Sequence, residues 1–175
     1  MRELSLHILD LAQNSIGAGA HNVNITINED EAGFFTFSIA DDGCGMSKEM
    51  VEAVRDPFVT TRKTRKVGMG IPFIDMVCQQ CGGHLDINSV EEEGTTIKAY
   101  FAKDNIDRPP LGEIEQTIST LVSCNLNVEF VYEYIYNENV FNFNTCEIKN
   151  VLREVPLNNP DVILWMQSFI REGMD

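Results

Sequence analysis

This sequence is poor in positive charge, in long apolar runs and in paired cysteines, and each shortage excludes something. Thirteen Lys and Arg stand against 27 Asp and Glu, a formal net charge of −14. That balance argues against a nucleic-acid partner, because counterion release requires clustered cations. No run of about 18 apolar residues occurs, so no membrane span is expected. The opening "MRELSLHILD" carries charge inside its apolar run and lacks a signal-peptide core. A cytoplasmic protein is expected. Five cysteines, an odd number at irregular spacing, suit free thiols in a reducing compartment better than a disulfide framework. Internal repeats and low-complexity segments are also missing.

What is present is enough for a packed core: 43% hydrophobic residues in a chain of 175, the size of one ordinary domain or one domain with a small appendage. Four of the 13 basic residues crowd into "TTRKTRK" as Arg62, Lys63, Arg65 and Lys66. A local basic patch on an acidic chain points to a small anion.

Apolar spacing predicts a helix over 3–17 with Leu4, Ile8, Leu11, Ala12 and Ser15 on one face and Gly17 as its stop. "NVNITIN" and "FTFSIA" alternate as two strands of a hairpin. Ser47 caps a short helix, "KEMVEAVRD", and a loop runs from Pro57 to Met69. A helix over 71–81 follows, with Pro72 in its first turn and Gly82-Gly83 at its end. "HLDINSV" and "TTIKAYF" form a second hairpin. This order, helix, hairpin, two helices, hairpin, predicts an α+β fold built as a two-layer sandwich.

"DNIDRPPLG" reads as a boundary. The expected division is therefore a larger domain over 1–103, a linker over 104–110, and a small C-terminal α+β subdomain over 111–175. In the tail, a helix near 112–123, strands in "NVEFVYEYIY" and "NVFNFN", and two short helices are expected. The last of these is capped by Asn159, begins at Pro160 and stops at Gly173. Alternating Phe130, Tyr132, Tyr134, Phe141 and Phe143 either pack this subdomain or form a docking surface for a partner or a second copy. The tail's acidity suits a basic protein partner.

Three constellations carry chemistry. Asp10 and Asn14 lie four apart, on one helix face, where a carboxylate and an amide could hold Mg²⁺ and a water beside a phosphate; taken alone they also fit an exposed polar stripe. Asp41 ends a strand and is followed by Gly43 and Gly45, which let backbone approach a flat ligand. Its carboxylate can accept from an exocyclic amine and so select adenine; the plainer reading is a tight acidic turn. In "KVGMGIPF", Gly68 and Gly70 open a helix whose N-terminus offers N–H groups to an anion, with the basic cluster just upstream.

In this order the stretches "DLAQNSIGAGA", "DDGCGM", "DPFVTTRK" and "GMGIPF" resemble the N, G1, F and G2 boxes of the ATP-binding domain of histidine kinases. That domain belongs to the wider GHKL superfamily of the Bergerat ATP-binding fold, which includes gyrase, mismatch-repair and heat-shock chaperone ATPases. The resemblance covers roughly residues 3–102, and "CGGHLDINSVEEEGTTIKAYF" continues the kinase pattern. It implies ATP and Mg²⁺ as cofactors. Asn14 would coordinate the metal, and Asp10 would be the general base. Asp41 would bind the adenine amine, with Gly43, Gly45 and Met46 along that wall and Thr95 supporting it through water. Gly68 and Gly70 would wrap the phosphates, Arg62 or Lys63 would pair with them, and Thr61, Met69 and Ile71 belong to the same nucleotide site. Asp42 would be a solvent-facing neighbour, and Cys44 would line the site.

Two departures shape the expected function. Only two residues precede the first helix, so the phosphoacceptor hairpin of a histidine kinase is not expected. Lys66 stands where the first G2 glycine belongs, which stiffens the lid. The implied reading is a regulatory ATP-binding protein like the anti-sigma serine kinases, acting on a protein in trans, or a slow ATPase. A non-catalytic, nucleotide-gated interaction module is the alternative. Self-association into a homodimer stays open. Cys78-x-x-Cys81 followed by His84 raises a metal or redox reading, although no second pair supplies ligands. Cys124 and Cys146 are expected in the core.

Overall fold

The computed structural model describes residues 3–56, 58 and 69–175. Among these the elements run α1 (Leu4–Gly17), β1 (Asn22–Asn28), β2 (Phe34–Asp41), α2 (Lys48–Ala53), α3 (Gly70–Gln80), β3 (Leu85–Val90) and β4 (Gly94–Ala102). The tail adds α4 (Ile114–Cys124), β5 (Glu129–Tyr136), β6 (Asn139–Asn144), α5 (Thr145–Leu152) and α6 (Pro160–Met174). The expected α+β sandwich is the fold observed.

All the strands join one six-stranded sheet in the order β3-β4-β2-β1-β5-β6. Both expected hairpin pairings are present, β1 with β2 and β3 with β4, and β4 also lies antiparallel to β2. β5 docks parallel to β1, and β6 returns antiparallel on β5. The alternation of each strand sets one apolar row across the sheet: Ile87, Ile97, Ile39, Ile25, Tyr132 and Phe143 are successive cross-strand partners. A one-residue slip in any strand would turn its whole apolar set away from this row. The tail's strands therefore extend the sheet that residues 22–102 begin.

Helices cover the apolar face. α3 packs on α1, α1 on α4, and α4 on α6. Leu4, Ile8, Leu11, Ala12 and Ser15 are all buried, as the spacing predicts. Phe130, Tyr132 and Phe143 are buried too. The first N–H groups of α1 have no side-chain cap. Instead Leu4 and Ser5 donate to the carbonyls of Pro110 and Leu111, both at 2.9 Å. The segment after β4 thus closes back over the start of α1 and satisfies donors that a helix cannot satisfy itself.

Local expectations differ in three places. α2 ends at Ala53 rather than near Asp56; Arg55 beyond it turns to the Leu85 carbonyl at 2.6 Å. Gly173 does not stop α6, which continues to Met174. Its missing β-carbon serves packing instead, since a side chain there would overlap the Phe141 ring. Cys124 and Cys146 are exposed, not core: one closes α4 and the other sits in the first turn of α5.

His7 lies on the buried face of α1, stacked on Phe73 of α3 with ring centroids 5.4 Å apart. Neither ring nitrogen has a hydrogen-bond partner among the described residues. Burial lowers its pKa from 6.5 to about 4, since an imidazolium there would be desolvated. The unfolded chain therefore binds this proton first, and stability is lost as pH falls from about 6.5 to about 4. The expected loss is on the order of 3 kcal/mol. Urea unfolding at several pH values should show that part of the decline missing in His7→Phe, which keeps the stack.

Candidate functional site

α1 packs on β1 and β2, and a crevice opens beside its last turn at the end of β2. It is lined by Asn14 and Ser15 from α1, Ala18 just beyond it, Asp41 from β2, Gly45 and Met46 after it, and Ile71 from α3. Thr95 and Ile97 of β4 complete it with Leu11. Six sequence-predicted residues therefore meet here: Asn14, Asp41, Gly45, Met46, Ile71 and Thr95. Its volume is about 40 Å³, well below the roughly 300 Å³ at which small-molecule pockets begin. A nucleotide would have to widen it.

Asp41 is the polar centre. Its Oδ2 accepts from the Ser15 hydroxyl at 2.6 Å and its Oδ1 from the Gly43 N–H at 2.9 Å. Asp41 is the cross-strand partner of Thr95. The Thr95 hydroxyl meets Ser89 Oγ at 2.8 Å, and Ser89 also accepts from the Met46 N–H at 2.7 Å. Ser15 and Ser89 are site residues that sequence reasoning missed. Ser15 sat within an apolar stripe and Ser89 within an ordinary strand, so neither gave a signal of its own.

Asp10 and Asn14 are half-buried rather than on an open face. The Asn14 Nδ2 is buried and has no partner among the described residues. A buried amide without an acceptor is costly unless something else supplies one. Gly70 abuts the pair, because a β-carbon there would overlap Asp10 Oδ2. The N-terminus of α3 is thereby held against Asp10.

The other predicted positions fall as follows. Gly43 is buried and tied to Asp41 by its N–H. Met69 is exposed and lines a separate depression with Arg55 and Phe73. Thr61, Arg62, Lys63 and Gly68 lie outside the described residues. Asp42 is exposed but more than a bystander: it accepts from the His21 and Asn22 backbone N–H groups at 2.7 and 2.9 Å and from the Asn22 amide at 2.8 Å. That amide and the two backbone groups hold its carboxyl below the usual carboxylate range. Asp42 thus ties the start of β1 to the end of β2.

Cys44 is exposed outside the crevice lining. Cys78 and Cys81 are buried. Burial pushes the Cys78 thiol up to about 12, and burial followed by Asp107 raises Cys81. Reactive and metal-binding thiols shift the other way. His84 stacks on Tyr100 at 4.1 Å, and no group of three metal-ligating side chains exists among the described residues.

Two glycines make the Asp41 geometry. Gly45 and Gly94 have φ of +68° and +135°. A β-carbon on Gly45 would overlap the Val90 carbonyl, and one on Gly94 the Asp41 carbonyl. Gly94→Ala should therefore cost on the order of 3 kcal/mol, from backbone strain and overlap together. Gly33 also has positive φ, +78°, but open space around it, so Gly33→Ala should cost only about 1 kcal/mol. Denaturant unfolding of the two variants checks the difference.

Comparison with known proteins agrees with this geometry. Residues 2–105 match the family described as histidine kinase-, DNA gyrase B- and HSP90-like ATPases. Sensor histidine kinase ZraS of Escherichia coli K12 is 30% identical over 107 residues, covering 60% of this chain and 23% of ZraS. Sensor kinase CckA of Brucella abortus is 30% identical over 74 residues, 42% of this chain and 8% of CckA. The chain thus spans less than a quarter of these relatives. Among solved structures, the Aquifex aeolicus MutL ATPase domain complexed with ADP aligns with a TM-score of 0.55 at 15% identity, over 87% of this chain and 70% of that one. The N-terminal domain of a DNA repair protein aligns equally well, over 82% and 52%. At such identity these two show the fold alone. With the family match spanning more than half its length, the chain belongs to the histidine kinase-, DNA gyrase B- and HSP90-like ATPases.

Proposed function

We propose that the crevice binds Mg-ATP and that the chain transfers its γ-phosphate to a protein in trans. The observation that carries this is the buried Asn14 Nδ2, without a partner among the described residues, one helical turn from Asp10. Asp41 accepts from the adenine amine in place of the Ser15 hydroxyl it now holds. Leu11, Ile71 and Ile97 supply apolar walls for the base. The Asn14 side-chain oxygen suits a hard cation, and its N–H₂ suits a phosphate oxygen. Bound Mg²⁺ would neutralise charge on the phosphates. Asp10 takes the proton of the attacking hydroxyl, from a protein side chain or from water.

A second reading has its own support. The crevice is narrow and Asp41 is already hydrogen-bonded, so nucleotide entry must rearrange Ser15 and its surroundings. That is the behaviour of a nucleotide-gated interaction module, in which turnover is incidental.

Calorimetric titration with ATP and Mg²⁺ separates the parts. Asp41→Ala should weaken binding by roughly tenfold or more, the loss of a hydrogen bond to a charged group. Asn14→Ala should remove the Mg²⁺ dependence of whatever binding is left. Asp10→Asn should keep the affinity but lower phosphate transfer or release by about 10²-fold or more.

Incubation of purified protein, γ-labelled ATP and extract of the source cells then assigns the acceptor. Label on one extract protein, absent with Asp10→Asn, supports the kinase. Label released only as free phosphate supports an ATPase, and label left on ATP favours the gated module.

A further inference from the structure

α6 uses only one of its faces for the core. Val162, Met166 and Ile170 are buried, whereas Leu164 is 63% and Trp165 46% exposed on the same helix. Between α6 and α5 lies a depression of about 520 Å³. Its floor and walls are Ile148 and Val151 of α5 with Val162 and Trp165 of α6, and its rim carries Glu147 and Asp161. Val151 is 81% exposed beside it.

The charge around it indicates what fits. From 104 to 175, twelve Asp and Glu face four Lys and Arg. Three of those four are engaged elsewhere: Lys149 with Glu129, Arg171 with Glu115, and Arg108 over the Phe35 ring at 4.6 Å. Glu147 and Asp161 have no cation partner among the described residues. An apolar trough with an acidic rim on a chain of net charge −14 repels anionic lipid surfaces and attracts cations.

We infer that the α5–α6 groove is a docking site for an amphipathic helix of a partner protein, with an apolar face and flanking Lys or Arg. Its apolar residues seat against Val151 and Trp165, and its cations meet Glu147 and Asp161, the helix-in-groove mode of recognition. This rests on the reading that the chain acts through a protein partner, and it does not require the nucleotide chemistry of the crevice. Each can fail without the other.

Trp165 is the single Trp of the chain, so its fluorescence reports on the groove directly. The probe is a short synthetic peptide of leucine and lysine patterned as an amphipathic helix, titrated into the full chain. The expected result is a saturable one-to-one blue shift, with a leucine–glutamate counterpart inert. Val151→Asp should weaken binding about tenfold or more, although it adds a negative charge that would strengthen mere charge attraction. Glu147→Lys with Asp161→Lys should do the same, and thermal unfolding confirms that the variants fold. Undiminished binding by Val151→Asp would overturn the site. So would a shift caused by anionic vesicles, or sedimentation showing a dimer of the chain alone that Val151→Asp dissociates.

Discussion

The hydrogen bond from Ser15 to Asp41, 2.6 Å long, joins α1 to the end of β2 and thereby brings the two halves of the site together. Asp41 can be there because backbone passes close against it: a β-carbon on Gly94 would overlap its carbonyl, and the Gly43 N–H donates to its carboxylate. Asn14, next to Ser15 in the chain, lines the same crevice, and Asp10 lies one helical turn before Asn14. Gly70 then lets α3 close against Asp10. Each neighbour depends on the one before. The crevice is consequently a product of close backbone approach rather than of a large cavity.

The segment after 103 supports the same arrangement from the other side. Pro110 and Leu111 carbonyls cap the first turn of α1, and Thr117 of α4 donates to the Ser5 carbonyl at 3.4 Å. α6 in turn packs on α4, where Gln167 meets Ser119 at 3.0 Å. β5 runs parallel to β1, so the sheet strand beneath α1 is paired on both edges. A continuous packed path therefore leads from the α5–α6 face to the helix bearing Asp10 and Asn14. It is contiguity alone, and coupling along it would need an element with two arrangements.

Much of this was legible in the residues. The period-2 runs at 22–28 and 139–144 have the observed bounds, and the helical stripe of α1 is buried as its spacing requires. Asn159 and Pro160 begin α6 as their chemistry dictates, with Asn159 accepting from Asp161 at 2.9 Å. Other residues misled because one letter serves two physical ends. Gly173 looks like a helix stop, yet its lack of a side chain makes room for Phe141. Asp42 looks like a free carboxylate beside Asp41, yet it gathers three donors from residues twenty and more positions away. Such partners are invisible to local reasoning.

The sequence by itself determined the period of each element, the residue types of the site and, through four ordered motifs, the family. Those are local properties, set by spacing along one segment and by backbone freedom at particular glycines. Only the tertiary structure decided which distant groups face one another: that β5 adds to β1 in parallel, that Ser15 and Ser89 support the Asp41 wall, and that the buried Asn14 Nδ2 has no partner among the described residues. It also decided that α6 presents a second apolar face outward. Pairing and burial are relations between segments, and a periodic pattern records only that a face is apolar, not what covers it.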